Sequence, residues 1–153
     1  MPRYLVIANQ TLGGQQLVRR ISELAASAGS EPTQLHLVVP VTKTDGTHQW
    51  DYPPIDRYIP DATVLARTMA QARLDHEVER LRHEDIKADG EVTDNDPVDR
   101  AKALVAEQKF DAVLVSTLPH HLSKWLRTDL PSHLDRALDV PVEHIEGSAG
   151  PSV

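Results

Sequence analysis

Short apolar runs alternate along this chain with segments of helical periodicity, and this alternation restricts the folds that it can adopt. Continuous apolar stretches at residues 4–8, 34–41 and 110–116 are typical of strands buried on both faces of a sheet. At residues 15–28 and 62–82, apolar side chains recur every three or four positions, which predicts amphipathic helices. The longer helix has two apolar lines, one formed by Leu65, Met69 and Ala72 and the other by Leu74, Val78 and Leu81.

Weaker signals complete the pattern in the second half of the chain. Asp96 followed by Pro97 predicts a helix start, because aspartate caps a helix and proline suits its first position. Gly90 lies inside a segment that otherwise has the character of a strand, and glycine weakens such a prediction. The remaining segments are a short polar strand at 87–93, a helix at 132–138 and a final strand at 140–145.

The resulting β-α-β-α-β-α-β-α-β order predicts the α/β class, with one doubly wound, mainly parallel, five-stranded sheet and helices on both faces. The first and fourth strands are the most continuously apolar, so we expect them at the centre, in the Rossmann-like order 3-2-1-4-5. We expect one domain at residues 1–146 and a flexible tail of small residues at 147–153.

Charge and composition exclude several classes of function. Sixteen basic and 23 acidic residues give a net charge of −7, which argues against general nucleic-acid binding, so we expect no DNA partner. The chain has no cysteine, which rules out disulfides, thiolate catalysis and cysteine-based zinc sites. No apolar run approaches the roughly 20 residues of a membrane span, so we expect a cytoplasmic protein without a membrane partner.

Ligands of open parallel sheets bind beyond the carboxyl ends of the strands, and two segments here occupy that position. After the first strand, paired glycines allow close backbone approach and the next helix offers free N–H groups. After the fourth strand, hydroxyls and cations could hold a phosphate, although the two cations could equally be ordinary solvated charges. The candidate ligand-binding residues are Asn9, Gln10, Thr11, Gly13, Gly14, Val41, Ser116, Thr117, Ser123, Lys124 and Arg127.

The chain resembles the universal stress protein family in length, in element order and in the phrase Asp139-Val140-Pro141-Val142 before its last strand. The resemblance implies a nucleotide-binding-like fold. Family members that bind ATP carry Gly-x-x-Gly, nine residues, then Gly-Ser/Thr after the fourth strand, and many carry an aspartate after the first. Asn9 stands at the aspartate position, and the three glycine positions fall at Pro119, Leu122 and about Asp129.

These replacements disfavour binding of ATP in the manner of the family. A glycine-rich loop holds phosphate through close backbone N–H groups, whereas Pro119 has no N–H and a fixed φ. Asp129 would also place a negative charge beside a polyphosphate. An anion site built from side chains remains open, and the cofactor, if there is one, stays unidentified.

No pattern in the chain points to catalysis or to a metal. The adjacent pair His120-His121 is poorly placed to converge on one ion, and His76, Glu79 and His83 lack the His-Glu-x-x-His spacing. Phosphate-loop, dinucleotide and nucleophile-elbow motifs are also missing. We therefore expect no catalytic residue, no metal site and no enzyme.

Two functions remain open. One is a non-catalytic module that senses a small ligand or nucleotide, and the other is a protein-interaction module that kept the fold and lost the ligand site. Trp125 could fill the site or stack on a ligand ring, and the aromatic-rich segment at 42–60 has no assigned role. The resemblance also implies a possible homodimer through the last strand, with Val142, His144 and Glu146 on one side and Glu143 and Ile145 on the other.

Overall fold

The computed structural model describes residues 1–41, 62–118 and 130–147, and within them five strands and four helices. The candidate residues Ser123, Lys124 and Arg127 lie outside these ranges, as do the histidine pair, Trp125, the positions of the family glycines and residues 42–60. The strands are β1 (Arg3–Ile7), β2 (Gln34–Pro40), β3 (Lys87–Thr93), β4 (Ala112–Thr117) and β5 (Val142–Glu146). The helices are α1 (Gln15–Ser27), α2 (Ala62–His83), α3 (Pro97–Glu107) and α4 (Leu130–Ala137).

The strands form one parallel sheet in the order β3-β2-β1-β4-β5, which confirms the predicted topology. The two strands predicted to be central are neighbours, with Tyr4 opposite Ala112 and Ile7 opposite Val115. All five carboxyl ends therefore lie at one edge of the sheet, which we call the carboxyl edge, and all five starts lie at the opposite amino edge.

Alternate residues of the strands supply two hydrophobic cores, one on each face of the sheet. The first core packs under α1 and α2, and its strand residues include Val6, Leu37 and Leu114. The second core packs under α3 and α4 and includes Ile7 and Val115. Burial of these side chains drives the doubly wound arrangement, because each strand between the two layers must be apolar on both faces.

Only one of the two apolar lines predicted for α2 faces the sheet. Leu74 and Leu81 are buried, whereas Met69 is 44% exposed. Glu77 lies on the buried face at 2% exposure, and its carboxylate accepts hydrogen bonds from Arg80 one turn along. The charge of Glu77 is thus balanced by Arg80 of the same helix, and the hydrogen bonds that Arg80 donates to this carboxylate raise the pKa of Arg80.

Gly90 and Asp96 explain two of the weaker predicted elements. A side chain at Gly90 would come within 2.6 Å of both the Leu37 carbonyl oxygen and Leu74, so glycine lets α2 pack closely on β3. The Asp96 carboxylate accepts the backbone N–H of Val98 at 2.8 Å, which confirms the predicted start of α3. Within the described ranges, no helix is long and apolar enough to cross a membrane.

Candidate functional site

The loop after β1 carries the chain through two tight turns into α1. The N–H of Leu12 donates to the Asn9 carbonyl at 3.0 Å, and the N–H of Gly14 donates to the Thr11 carbonyl at 2.9 Å. Gly13 has φ of 82°, a left-handed conformation that favours glycine. The N-cap residue of α1 is Gly14, which has no side chain to cap the helix, and the first turn has no acidic residue, so the positive end of α1 faces the carboxyl edge without a counter-charge in its own first turn.

Asn9 links three elements at this edge. Its side-chain Nδ2 donates to the carbonyl oxygen of Pro40 at 2.9 Å, at the end of β2. Its Oδ1 accepts a hydrogen bond from Nη1 of Arg73, on α2, at 2.8 Å. An aspartate could accept from Arg73 but could not donate to Pro40, so the amide is the group that satisfies both contacts.

Arg73 is the functional candidate that the sequence reading missed. Its side chain is half-buried, and this burial lowers the pKa of its guanidinium, which nevertheless stays charged. Within residues 1–41, 62–118 and 130–147, Arg73 forms no ion pair, and its hydrogen-bond partner Asn9 is neutral. A cation that has no counter-charge among the described residues therefore lies directly beside the end of β1.

The hydroxyl groups predicted for the site divide between the two faces of the sheet. Ser116 donates to Thr11 at 2.7 Å, and both residues are buried, at 1% and 2% exposure. Thr117, the next residue of β4, points to the other face, where its Oγ1 lies 2.7 Å from Nε2 of His144 on β5. The structure thus brings Ser116 to the loop after β1, whereas Thr117 points towards β5, the outermost strand on that side of the sheet.

Other predicted residues differ in what they offer a ligand. Gln10 is exposed at the tip of the loop, and Gly13 and Gly14 shape the approach to α1. Val41 is 7% exposed, and its N–H already donates to the Thr93 carbonyl at 2.9 Å. The backbone N–H of Val41 is therefore occupied within the fold.

Metal chemistry finds no support in the parts of the chain that the structure describes. No group of three or more histidine, aspartate or glutamate side chains there is placed to hold an ion. His83 and Glu79 lie 3.9 Å apart on the exposed face of α2, where both side chains are 78% accessible. This pair belongs to the solvated surface of the helix.

Comparisons with solved structures find the same fold in proteins of low sequence identity. A universal stress protein family protein from Arabidopsis thaliana with AMP bound is 12% identical, with a TM-score of 0.62 over 97% of this chain and 94% of that one. A universal stress protein in complex with cAMP is 18% identical, with a TM-score of 0.56 over 96% and 98%. One from Archaeoglobus fulgidus in complex with dAMP is 16% identical, with a TM-score of 0.54 over 95% and 97%.

Two comparisons at the level of sequence found no match. No protein-family model matches the chain, and no curated protein matches it. At identities this low, the shared architecture establishes the fold and leaves the ligand to be argued from the side chains described above.

Proposed function

We propose that this chain, which has the fold of the universal stress proteins, is a non-catalytic module that binds a nucleotide of the monophosphate class at its carboxyl edge. The observation that carries the proposal is Arg73, a half-buried guanidinium whose hydrogen-bond partner in the described chain is the neutral Asn9. We further propose that the protein acts in the cytoplasm as a sensor in a stress response and that it binds ATP weakly or not at all.

The electrostatics of the carboxyl edge favour an anion. The guanidinium of Arg73 presents planar donors that suit phosphate oxygens, and burial strengthens its interaction with a negative group. The uncapped start of α1 adds the equivalent of about half a positive charge. AMP, cAMP and dAMP in the neighbouring structures support a ligand with a single phosphate group.

The proposed low affinity for ATP is inferred from the residues at the family's glycine positions. Pro119 lacks an N–H, and Asp129 is negative, so a backbone cradle for a triphosphate is disfavoured. Ser123, Lys124 and Arg127 remain proposed ligand contacts from the same segment. Binding of ATP and magnesium with an affinity equal to that of AMP would contradict this part of the proposal.

Titration calorimetry with AMP, cAMP and magnesium ATP tests the proposal, together with mass spectrometry of small molecules released from the purified protein. We expect saturable binding of AMP or cAMP, weakened at least tenfold in Arg73→Gln. Arg136→Gln, an equal loss of charge on the exposed surface of α4, serves as the matched control and should bind like the wild type. Binding that is equal in both variants, or no binding of any mononucleotide, would overturn the proposal.

A specific set of contacts favours the second candidate, a protein-interaction module. Thr11 and Ser116 satisfy each other in the core, and the N–H of Val41 is bound to Thr93. These polar groups have no need of a ligand. If mass spectrometry finds no bound small molecule and no nucleotide binds, the interaction module becomes the better description.

We also propose that the chain forms a homodimer through β5. In the sheet that the structure describes, β5 is an edge strand whose one neighbour is β4. Glu143 would oppose self-pairing of this edge, but its carboxylate accepts from Nε of Arg20 at 2.7 Å, which raises the pKa of Arg20. Arg20 thereby offsets the charge of Glu143 within each subunit, although it also pairs with Glu23 at 3.2 Å.

A further inference from the structure

A second concave surface lies at the amino edge of the sheet, at the opposite end of the strands from Asn9. It encloses about 550 Å³, which is within the range of small-molecule sites. It is lined by the first residues of β1, β2 and β3 and by the turn after α2. The lining residues are Arg3, Gln34, Arg82, Asp85, Ile86, Lys87, Ala88 and Asp89; we call this surface the amino-edge cavity.

Three of the lining side chains form a row across neighbouring strands. Arg3 lies opposite Gln34 in the register of β1 and β2, and Gln34 lies opposite Lys87 in that of β2 and β3. Register partners in a parallel sheet point to the same face, here the face that also carries α3 and α4. Adjacent strands are about 4.8 Å apart, so the Cα atoms of Arg3 and Lys87 lie roughly 10 Å apart, with Gln34 on the strand between them.

The three cations that line the cavity form no side-chain ion pair within the described chain, although the Asp111 carboxylate accepts the backbone N–H of Arg3 at 2.8 Å. Neither Arg3, Arg82 nor Lys87 forms an ion pair there. The guanidinium of Arg3 lies over the ring of Phe110, 5.2 Å from its centre. Arg82 uses Nε to bind the Ala88 carbonyl at 3.2 Å.

Two carboxylates, those of Asp85 and Asp89, also line the amino-edge cavity. Asp89 lies 2.8 Å from Nδ1 of His36, so its charge is directed towards β2. Asp85 lies two residues beyond the end of α2, with φ of 62°, and in the turn around it the Ile86 N–H donates to the Leu81 carbonyl at 3.1 Å. The lining residues thus include three cations and two carboxylates, an excess of one positive charge in a chain whose net charge is −7.

We propose that the amino-edge cavity is a second binding site, specific for a phosphorylated small molecule. Guanidinium, amide and ammonium donors in one row match the several acceptor oxygens of a phosphate group. The site is independent of the proposed nucleotide site, because the two lie at opposite ends of the parallel strands. Its occupant is recognised through phosphate, and the volume of about 550 Å³ leaves room for an organic group beside it.

The experiment is an amide NMR titration of the full chain with inorganic phosphate and with glycerol 3-phosphate, compared with chloride at equal ionic strength. We expect saturable shifts centred on Arg3, Gln34 and Lys87. In the double variant Arg3→Gln and Lys87→Gln the dissociation constant should rise at least tenfold. Lys102→Gln, an exposed cation of α3, is the matched control and should bind like the wild type.

Two single variants separate loss of phosphate binding from other effects of the double variant. Because Arg3 packs on Phe110, the single variant Lys87→Gln, which leaves that contact intact, should still weaken binding severalfold. Arg73→Gln should leave phosphate binding at the amino edge unchanged, whatever it does to AMP. Shifts that chloride reproduces, shifts confined to the carboxyl edge, or a double variant that binds normally would each overturn the proposal.

Discussion

The side-chain oxygen of Asn9 accepts a hydrogen bond from Arg73 at 2.8 Å, across 64 positions of the chain. An aspartate here would form an ion pair with Arg73 and cancel its charge. With asparagine, the guanidinium has no counter-charge among the described residues, while the amide still anchors the end of β2 through Pro40. One neutral residue thus leaves the positive charge of Arg73 available at the carboxyl edge.

Asn9→Asp should therefore weaken binding of AMP. The new carboxylate would pair with Arg73 and repel phosphate, and we expect a loss of about 1.4 kcal/mol or more, a tenfold rise in the dissociation constant. Calorimetry measures this directly. Asn9→Ala is the matched control, because it removes the same hydrogen bonds and leaves Arg73 positive, so its effect on AMP should be smaller. Equal effects of the two substitutions would contradict the electrostatic explanation.

Gly90→Ala should destabilise the fold by about 1–3 kcal/mol. The added methyl group would lie 2.6 Å from the Leu37 carbonyl oxygen of β2 and from Leu74 of α2, so the backbones of β2 and β3 would have to separate and α2 would have to shift. Urea unfolding followed by circular dichroism gives the free energy. Gly29→Ala is a useful comparison, because its side chain would meet open space and would suffer only the strain of a left-handed φ of 64°. A Gly90 variant as stable as the wild type would show that the two layers are more loosely packed.

Arg80→Met should lower the free energy of unfolding more than most substitutions on α2. It leaves Glu77, 2% exposed, as a buried charge without a partner, and we expect a loss of about 3–5 kcal/mol in unfolding free energy. Arg67→Met removes the exposed pair with Asp94 and should cost less than about 1 kcal/mol. Urea unfolding of both variants provides the test, and similar losses in the two would show that burial of Glu77 is unimportant.

Arg20→Gln should shift the proposed dimer towards monomer. Without its partner at 2.7 Å, Glu143 would carry an unbalanced charge on each edge strand, and two such strands would repel across the two-fold axis. We expect the dimer dissociation constant to rise about threefold to tenfold, since each partly exposed pair contributes only modestly.

Sedimentation velocity measures that equilibrium. Arg19→Gln, the neighbouring exposed cation of α1, is the control and should leave it unchanged. A wild-type protein that stays monomeric at tens of micromolar would remove the dimer proposal altogether.

The elements and topology were predictable because their signals are local. Apolar runs define β1, β2 and β4, and the pair Asp96-Pro97 defines the start of α3, whatever the rest of the chain does. Arg73 could not be found in this way. Its role depends on α2 lying beside the end of β1, and neither its spacing nor its neighbours in the sequence mark it.

Two other predictions differ from the structure for physical reasons that a sequence shows only in part. Ser116 and Thr117 were placed in one site, yet consecutive strand residues point to opposite faces and meet different partners. Met69 was assigned to an apolar line of α2, but the helix turns Ala70 and Leu74 to the sheet instead. Ser123, Lys124 and Arg127 stay predictions.

The adjacent hydroxyls of β4 have a consequence for how the two proposed activities communicate. Ser116 is bonded to the loop that would hold a ligand, and Thr117 is bonded to His144 on the strand that would hold a second subunit. A single peptide unit thus separates the residue that contacts the ligand loop from the residue that contacts β5. If ligand occupancy alters the position of this unit, nucleotide affinity and subunit affinity become reciprocal quantities, and each must change the other by the same factor.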